Sequence, residues 1–116
     1  MLDQFRGCLL GLACGDALGA PLEFLSAAEV AAKHGTVTEM LGGGWLNLRP
    51  GQVTDDTQMT LCVAESYIEN GGFAPQDIAD RFVEWYRTGP VDIGNLTRTA
   101  CENLQYGYNF ERAGFE

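Results

Sequence analysis

Residues 51–72 read GQVTDDTQMTLCVAESYIENGG, and this stretch decides the fold class. Thr54 follows the Gly51 turn where an N-cap hydroxyl belongs, and two aspartates stand behind it at the positive end of a helix dipole. Met59, Cys62, Val63, Ser66 and Tyr67 recur at spacings of three and four, which makes one face of a helix. Asn70-Gly71-Gly72 stop it. The spacing therefore predicts a helix that opens at Thr54.

The same punctuation extends toward the C-terminus. Pro75 suits a first helical turn, and Ile78, Phe82, Trp85 and Tyr86 line the next apolar stripe, which stops at Gly89-Pro90. A last helix is expected from Ile93 or Gly94 to Tyr106, with Leu96, Ala100, Cys101 and Leu104 facing inward. The tail from Tyr106 to Glu116 carries aromatics and glycines but no capped finish.

Toward the N-terminus, Phe5, Leu9, Leu12 and Ala13 predict a helix from Leu2 to about Leu18, ended by Pro21. Gly7, Gly11, Gly15 and Gly19 fall on every fourth position of it. Each costs a helix about 1 kcal/mol relative to alanine, so the ridge predicts close approach by another helix or by a ligand. Ser26 and Glu29 form a capping box for a short helix to about His34, with Gly35 as its stop. Thr36 to Met40 is expected to be a short extended piece. Gly42-Gly43-Gly44 and Arg49-Pro50-Gly51 bound a long loop around Trp45 and Leu48, of a length that is often functional. With no run of alternating strand pattern, the fold class is all-α.

Composition narrows the function. A chain of 116 residues, 46% hydrophobic and 20% charged, suits one folded domain and not a disordered segment. Sixteen acids against seven bases, a net charge of -9, disfavour both charge-driven nucleic-acid binding and docking on anionic membranes. The same excess suits binding of cations. Cys8, Cys14, Cys62 and Cys101 contain no C-x2-C spacing, and reduced, buried thiols in a cytoplasmic protein are expected. His34 is the single histidine, which argues against a zinc site. The apolar run from Cys8 to Cys14 is only seven residues long, with Asp3 before it and Asp16 after it, unlike a signal peptide or a membrane span.

Three constellations are candidates for chemistry. Thr54, Asp55 and Asp56 place hard oxygens where a loop becomes a helix, suited either to capping or to holding Mg²⁺ or Mn²⁺. Asp16, an acid inside an apolar, glycine-lined helix, requires a partner: a backbone amide, a basic side chain, or a polar cavity beside it. Glu23, just past the helix break, carries the same ambiguity. Asp92 and Asn95 lie three residues apart where a loop enters a helix. Either Asp92 caps that helix and Asn95 faces solvent, or both hold vicinal hydroxyls of a sugar.

Taken in order, GCLLGLACGDALGAPLEF, GGGWLNLRPGQVTDDTQMTL and TGPVDIGNLTRTA resemble the ADP-ribosylglycohydrolase family of the dinitrogenase-reductase-activating type. The resemblance runs from residue 5 to about 105. It implies an all-α, orthogonal multi-helix fold around a dinuclear Mg²⁺ or Mn²⁺ site. Thr54, Asp55 and Asp56 would be metal ligands, with Asp56 and Glu23 in catalytic roles and Glu23 at the mouth of the site. Asp92, Gly94 and Asn95 would line the ADP-ribose pocket, and Gly42 to Gly44 would lie beside the phosphates. The implied reaction cleaves the bond between ADP-ribose and a modified side chain or acceptor. Its substrate would be an ADP-ribosylated protein or a small ADP-ribose conjugate.

Carboxylates stabilise the oxocarbenium character that develops at the sugar carbon, or activate water against it. The family's second metal-binding element, of D-x-D-T type, has no counterpart here, since the acids after Asp92 are Glu102, Glu111 and Glu116. Residues 1–116 are accordingly expected to be the N-terminal part of such a domain, with little activity alone. The alternative is a non-catalytic structural or ADP-ribose-binding protein that kept the fold.

Overall fold

The computed structural model describes residues 1–114. Phe115 and Glu116, the end of the uncapped tail, lie outside the described residues. The order is α1 (Leu2–Gly19), a 3-10 turn (Ala20–Leu22), α2 (Ala27–His34), α3 (Asp55–Asn70), α4 (Pro75–Arg87) and α5 (Asn95–Gln105). Among the described residues there is no strand, and the all-α reading holds. No single helix there is long and apolar enough to cross a membrane. The chain divides into two compact units, the first ending at Thr57 and the second beginning at Gln58.

In the first unit, α1 runs into the 3-10 turn at Pro21, which lacks the N–H that a first turn leaves unused. Helix α1 with its 3-10 extension is bent by 89° from α2. The capping box of α2 is present in full. The Glu29 N–H donates to Ser26 Oγ at 3.3 Å, and the Ser26 N–H donates to Glu29 Oε2 at 2.7 Å. Gly35 closes that helix at φ +65°.

One expectation fails in this unit. Thr36 to Met40 form no strand. Extended backbone needs a partner for its N–H and C=O groups, and the pairing forms instead inside the glycine loop. There Gly43 and Leu48 exchange hydrogen bonds of 2.7 and 2.9 Å. Among the described residues no helix lies against the glycine ridge of α1, for a Cβ added at Gly7, Gly11, Gly15 or Gly19 meets nothing within 4 Å. Phe5 is 63% exposed and Leu10 65%, Cys8 and Cys14 are exposed, and Ala17 is the one buried residue of the helix. Helix α1 is thus held at its C-terminal end, where Asp16, Ala17 and the 3-10 turn lie.

The second unit is built on an apolar stripe. Ile78, Ala79, Val83 and Trp85 are buried on α4, which packs against α5 at the buried Cys101. Leu96, expected inward, is largely exposed, so the buried face of α5 begins a turn later than the periodicity predicts. Trp85 Nε1 donates to Gln58 Oε1 at 2.7 Å. Arg81 of α4 binds Asp77 at 2.7 Å on its own helix and Glu69 and Glu65 of α3 at 2.6 and 3.4 Å.

Candidate functional site at the start of helix α3

The first four N–H groups of a helix have no partner within it. In α3 two of these groups find their acceptor on α1, 38 and 41 residues earlier. Asp16 Oδ2 accepts the Thr54 N–H at 2.8 Å and the Thr57 N–H at 3.3 Å. The two threonine hydroxyls donate to the same carboxylate, Thr54 Oγ1 at 2.6 Å to Oδ1 and Thr57 Oγ1 at 2.5 Å to Oδ2. Thr54 and Thr57 are both buried. The partner that Asp16 requires is therefore a pair of backbone amides with two hydroxyls, the first of the readings its position allows. The Thr54 hydroxyl donates its hydrogen bond to Asp16, which leaves the oxygen's lone pairs outside that bond.

These bonds set the charge at the site. Burial alone would raise the carboxyl of Asp16, but the hydrogen bonds from Thr54 and Thr57 outweigh it and hold Asp16 below its ordinary value. Asp56 shifts the other way. Burial pushes it up first, and then the negative charges of Asp55, Asp16 and Glu23. Three carboxylates thus act on Asp56 at the opening of α3, where Asp55 is half-buried and Asp56 and Glu23 are exposed.

Glu23 follows the 3-10 turn, where α1 ends. Its Oε2 accepts a hydrogen bond from Trp45 Nε1 at 2.9 Å, and the Trp45 ring lies 5.4 Å from that of Phe24, tilted by 59°. Trp45 was no more than a loop landmark in the sequence, and Thr57 was only the last letter of T-D-D-T. The signal for Thr57 was its i+3 spacing from Thr54, which puts two hydroxyls within reach of one acid.

Asp92, Gly94 and Asn95 form a group of their own in the second unit. Asp92 Oδ1 accepts the N–H of Ile93 at 2.8 Å. Gly94, not Asp92, is the N-cap of α5, with no side-chain cap hydrogen bond, and Asn95 opens the helix exposed to solvent.

Among the described residues no group of three or more His, Cys, Asp or Glu is disposed to hold a metal ion. The donors at α3 nevertheless fit a hard dication in kind. Mg²⁺ is commonly bound by one or two carboxylates and keeps several waters. Asp55 and Asp56 supply two carboxylates, Thr54 supplies a hydroxyl oxygen, and the crowding that raises Asp56 is the kind a cation relieves.

The family model for ADP-ribosylglycohydrolase matches residues 1–116. The ADP-ribosyl-(dinitrogen reductase) glycohydrolase of Rhodospirillum rubrum is 47% identical over 104 residues, covering 90% of this chain and 35% of that protein. The ADP-ribosylarginine hydrolase Tri1 of Serratia proteamaculans (strain 568) is 46% identical over 114 residues, covering 91% of this chain and 30% of that protein. A solved ADP-ribosylglycohydrolase-related protein complex superposes with a TM-score of 0.71 at 45% identity, covering 88% of this chain and 33% of the solved one. The chain spans about a third of the length of these relatives. By the match along its whole length and by the helical structure it shares with a solved relative, the chain belongs to the ADP-ribosylglycohydrolase family.

Proposed function

We propose that this chain carries one side of the active site of a cytoplasmic, metal-dependent hydrolase. Its reaction cleaves the glycosidic bond between ADP-ribose and a modified side chain or acceptor. The substrate is an ADP-ribosylated protein or a small ADP-ribose conjugate. The observation that supports this most is the acid-rich opening of α3, where burial and then the charges of Asp55, Asp16 and Glu23 raise Asp56. The names of the relatives agree with it: one is a glycohydrolase for ADP-ribosyl-dinitrogen reductase, another a hydrolase for ADP-ribosylarginine.

Thr54, Asp55 and Asp56 would hold Mg²⁺ or Mn²⁺ as one half of a dinuclear site. The bound metal would supply charge that orients a ribose hydroxyl and lowers the pKa of water. Asp16 accepts the Thr54 hydroxyl hydrogen bond and fixes the direction of that oxygen, the usual task of a group behind a metal ligand. Glu23 and Asp56 set negative charge beside the sugar carbon as positive charge develops there. In the second unit, Asp92, Gly94 and Asn95 offer an acid, a close-approach backbone and an amide to the hydroxyls of ADP-ribose. Backbone N–H groups of Gly42 to Gly44 are the proposed contacts for phosphate.

The test is a calorimetric titration of the 116-residue chain with Mn²⁺ and then ADP-ribose, beside the Asp55→Ala/Asp56→Ala double variant. Weak Mn²⁺ binding is expected, with metal-dependent uptake of ADP-ribose, and both are lost in the double variant. No metal-dependent binding in the wild type would favour a structural protein that kept the fold. Uptake of ADP-ribose without metal would favour a non-catalytic binder. Little release of ADP-ribose is expected from these 116 residues alone, and rapid release would show that Thr54, Asp55 and Asp56 need no further donors.

A further inference from the structure

We propose that Trp45 is the positioning residue of Glu23, and that the Gly42-Gly43-Gly44 turn serves to deliver its indole there. This rests on the reading of Glu23 as a carboxylate at the mouth of the site. Three features of the first unit carry it. The indole Nε1–H donates to Glu23 Oε2 at 2.9 Å, across 22 residues of chain. The Trp45 ring meets Phe24, the residue next to Glu23, at a centroid distance of 5.4 Å. The backbone before Trp45 is pressed onto the backbone before Glu23, for a Cβ at Gly44 would stand 2.6 Å from the Pro21 carbonyl oxygen.

Each feature restrains a different freedom. Gly42, Gly43 and Gly44 all hold φ between +66° and +80°, a region that side chains rarely adopt. A Cβ at Gly42 would meet the Leu48 carbonyl oxygen and the Pro50 nitrogen at 2.7 Å, so the loop turns tightly before it reaches Pro21. Phe24 also has a left-handed backbone, φ +65°, uncommon for a bulky residue. That conformation puts its ring against Trp45 while its neighbour Glu23 meets the indole N–H. The result is a two-point hold on the segment that carries the acid, polar on the carboxylate and apolar beside it.

Trp45 is 57% exposed and Phe24 78%, so burial does not explain the pair. An exposed carboxylate without a directional partner samples several rotamers, and Trp45 selects among them for Glu23.

The contact is tested in the ¹⁵N-labelled 116-residue chain. Trp45 and Trp85 give two indole N–H signals, which Trp45→Phe assigns by deleting one. Glu23→Ala is expected to shift the Trp45 signal upfield and speed its exchange with water, while leaving the Trp85 signal in place. Glu23→Gln keeps an oxygen acceptor and should hold the signal near its wild-type position. A Trp45 signal unmoved by Glu23→Ala, in a variant with wild-type circular dichroism, overturns the proposal.

The link to function is a double-mutant cycle read by titration with Mn²⁺ and ADP-ribose. If Trp45 acts through Glu23, Trp45→Phe weakens ADP-ribose binding in the wild type and has no added effect in Glu23→Ala. Full additivity overturns the proposal. If the indole signal responds to Glu23 but no variant or wild type binds ADP-ribose, the hold on Glu23 stands and the functional reading of the site fails.

Discussion

Helices α1 and α4 are built on opposite plans. Helix α4 concentrates its apolar residues on one stripe, and Ile78, Ala79, Val83 and Trp85 are buried there while Asp80 and Glu84 face water. Helix α1 is the more apolar of the two, yet Leu2, Phe5, Leu9, Leu10 and Leu12 are exposed and only Ala17 is buried. Burial follows the segregation of apolar residues onto one face more than their number. A helix apolar on several sides can satisfy only one of them with one neighbour. What fastens α1 is polar: the Asp16 carboxylate and its four hydrogen bonds.

Substitutions sharpen that contrast. Trp85→Ala should cost about 4 kcal/mol in chemical denaturation, because it empties a packed site and removes the partner of Gln58. Asp16→Ala should cost about 2 kcal/mol, since the Thr54 and Thr57 donors lose their acceptor in a half-buried setting. The Asp16 contribution carries a pH signature. Its folded-state pKa is depressed, so the stability is fully present above the unfolded-state value and disappears as pH falls through the folded one. Denaturation of wild type and Asp16→Asn should therefore converge toward acid.

The smaller effects lie on α1. Gly11→Ala should stabilise by about 1 kcal/mol, because helix propensity improves and the added Cβ meets nothing within 4 Å. Leu10→Ser should change stability by no more than about 0.5 kcal/mol, as expected of a surface position. A loss of several times that for Leu10→Ser, or a loss for Gly11→Ala, would break the contrast by showing that α1 is covered in solution.

What the sequence disclosed was local. The Ser26–Glu29 box, Pro75 and the Gly35 stop each fixed a helix end through groups within four residues, and α2 and α4 lie where those signals put them. The stripe of α4 was legible in part: Ile78 and Trp85 are buried as expected, but Ala79 and Val83 are buried with them while Phe82 and Tyr86 are only half-buried. The site was legible only in part. T-D-D-T marked the opening of α3, and Glu23 and Asp56 prove to be close enough for the charge of one to act on the other. The bond from Asp16 to Thr54 left no periodic trace, because it spans 38 residues and depends on where two helix ends meet. The glycine ridge is a related case: spacing shows which residues share a face but not what lies against it. In the glycine loop the reverse happened. A stretch without periodicity turned out to hold Trp45 on Glu23.

The remote cap on α3 has a consequence for the order of assembly. A helix whose first turn is satisfied by its own N-cap residue can nucleate by itself. The start of α3 instead waits for a loop of 38 residues to close, an entropic cost of about 3 kcal/mol before any constant term. A peptide of α3 alone should therefore fray at Asp55 and Asp56 while its later turns remain helical. Strain or competition that draws α1 away would remove the Asp16 acceptor from the turn that carries those two aspartates. The geometry of the acidic pair is thus a report on whether α1 is in place.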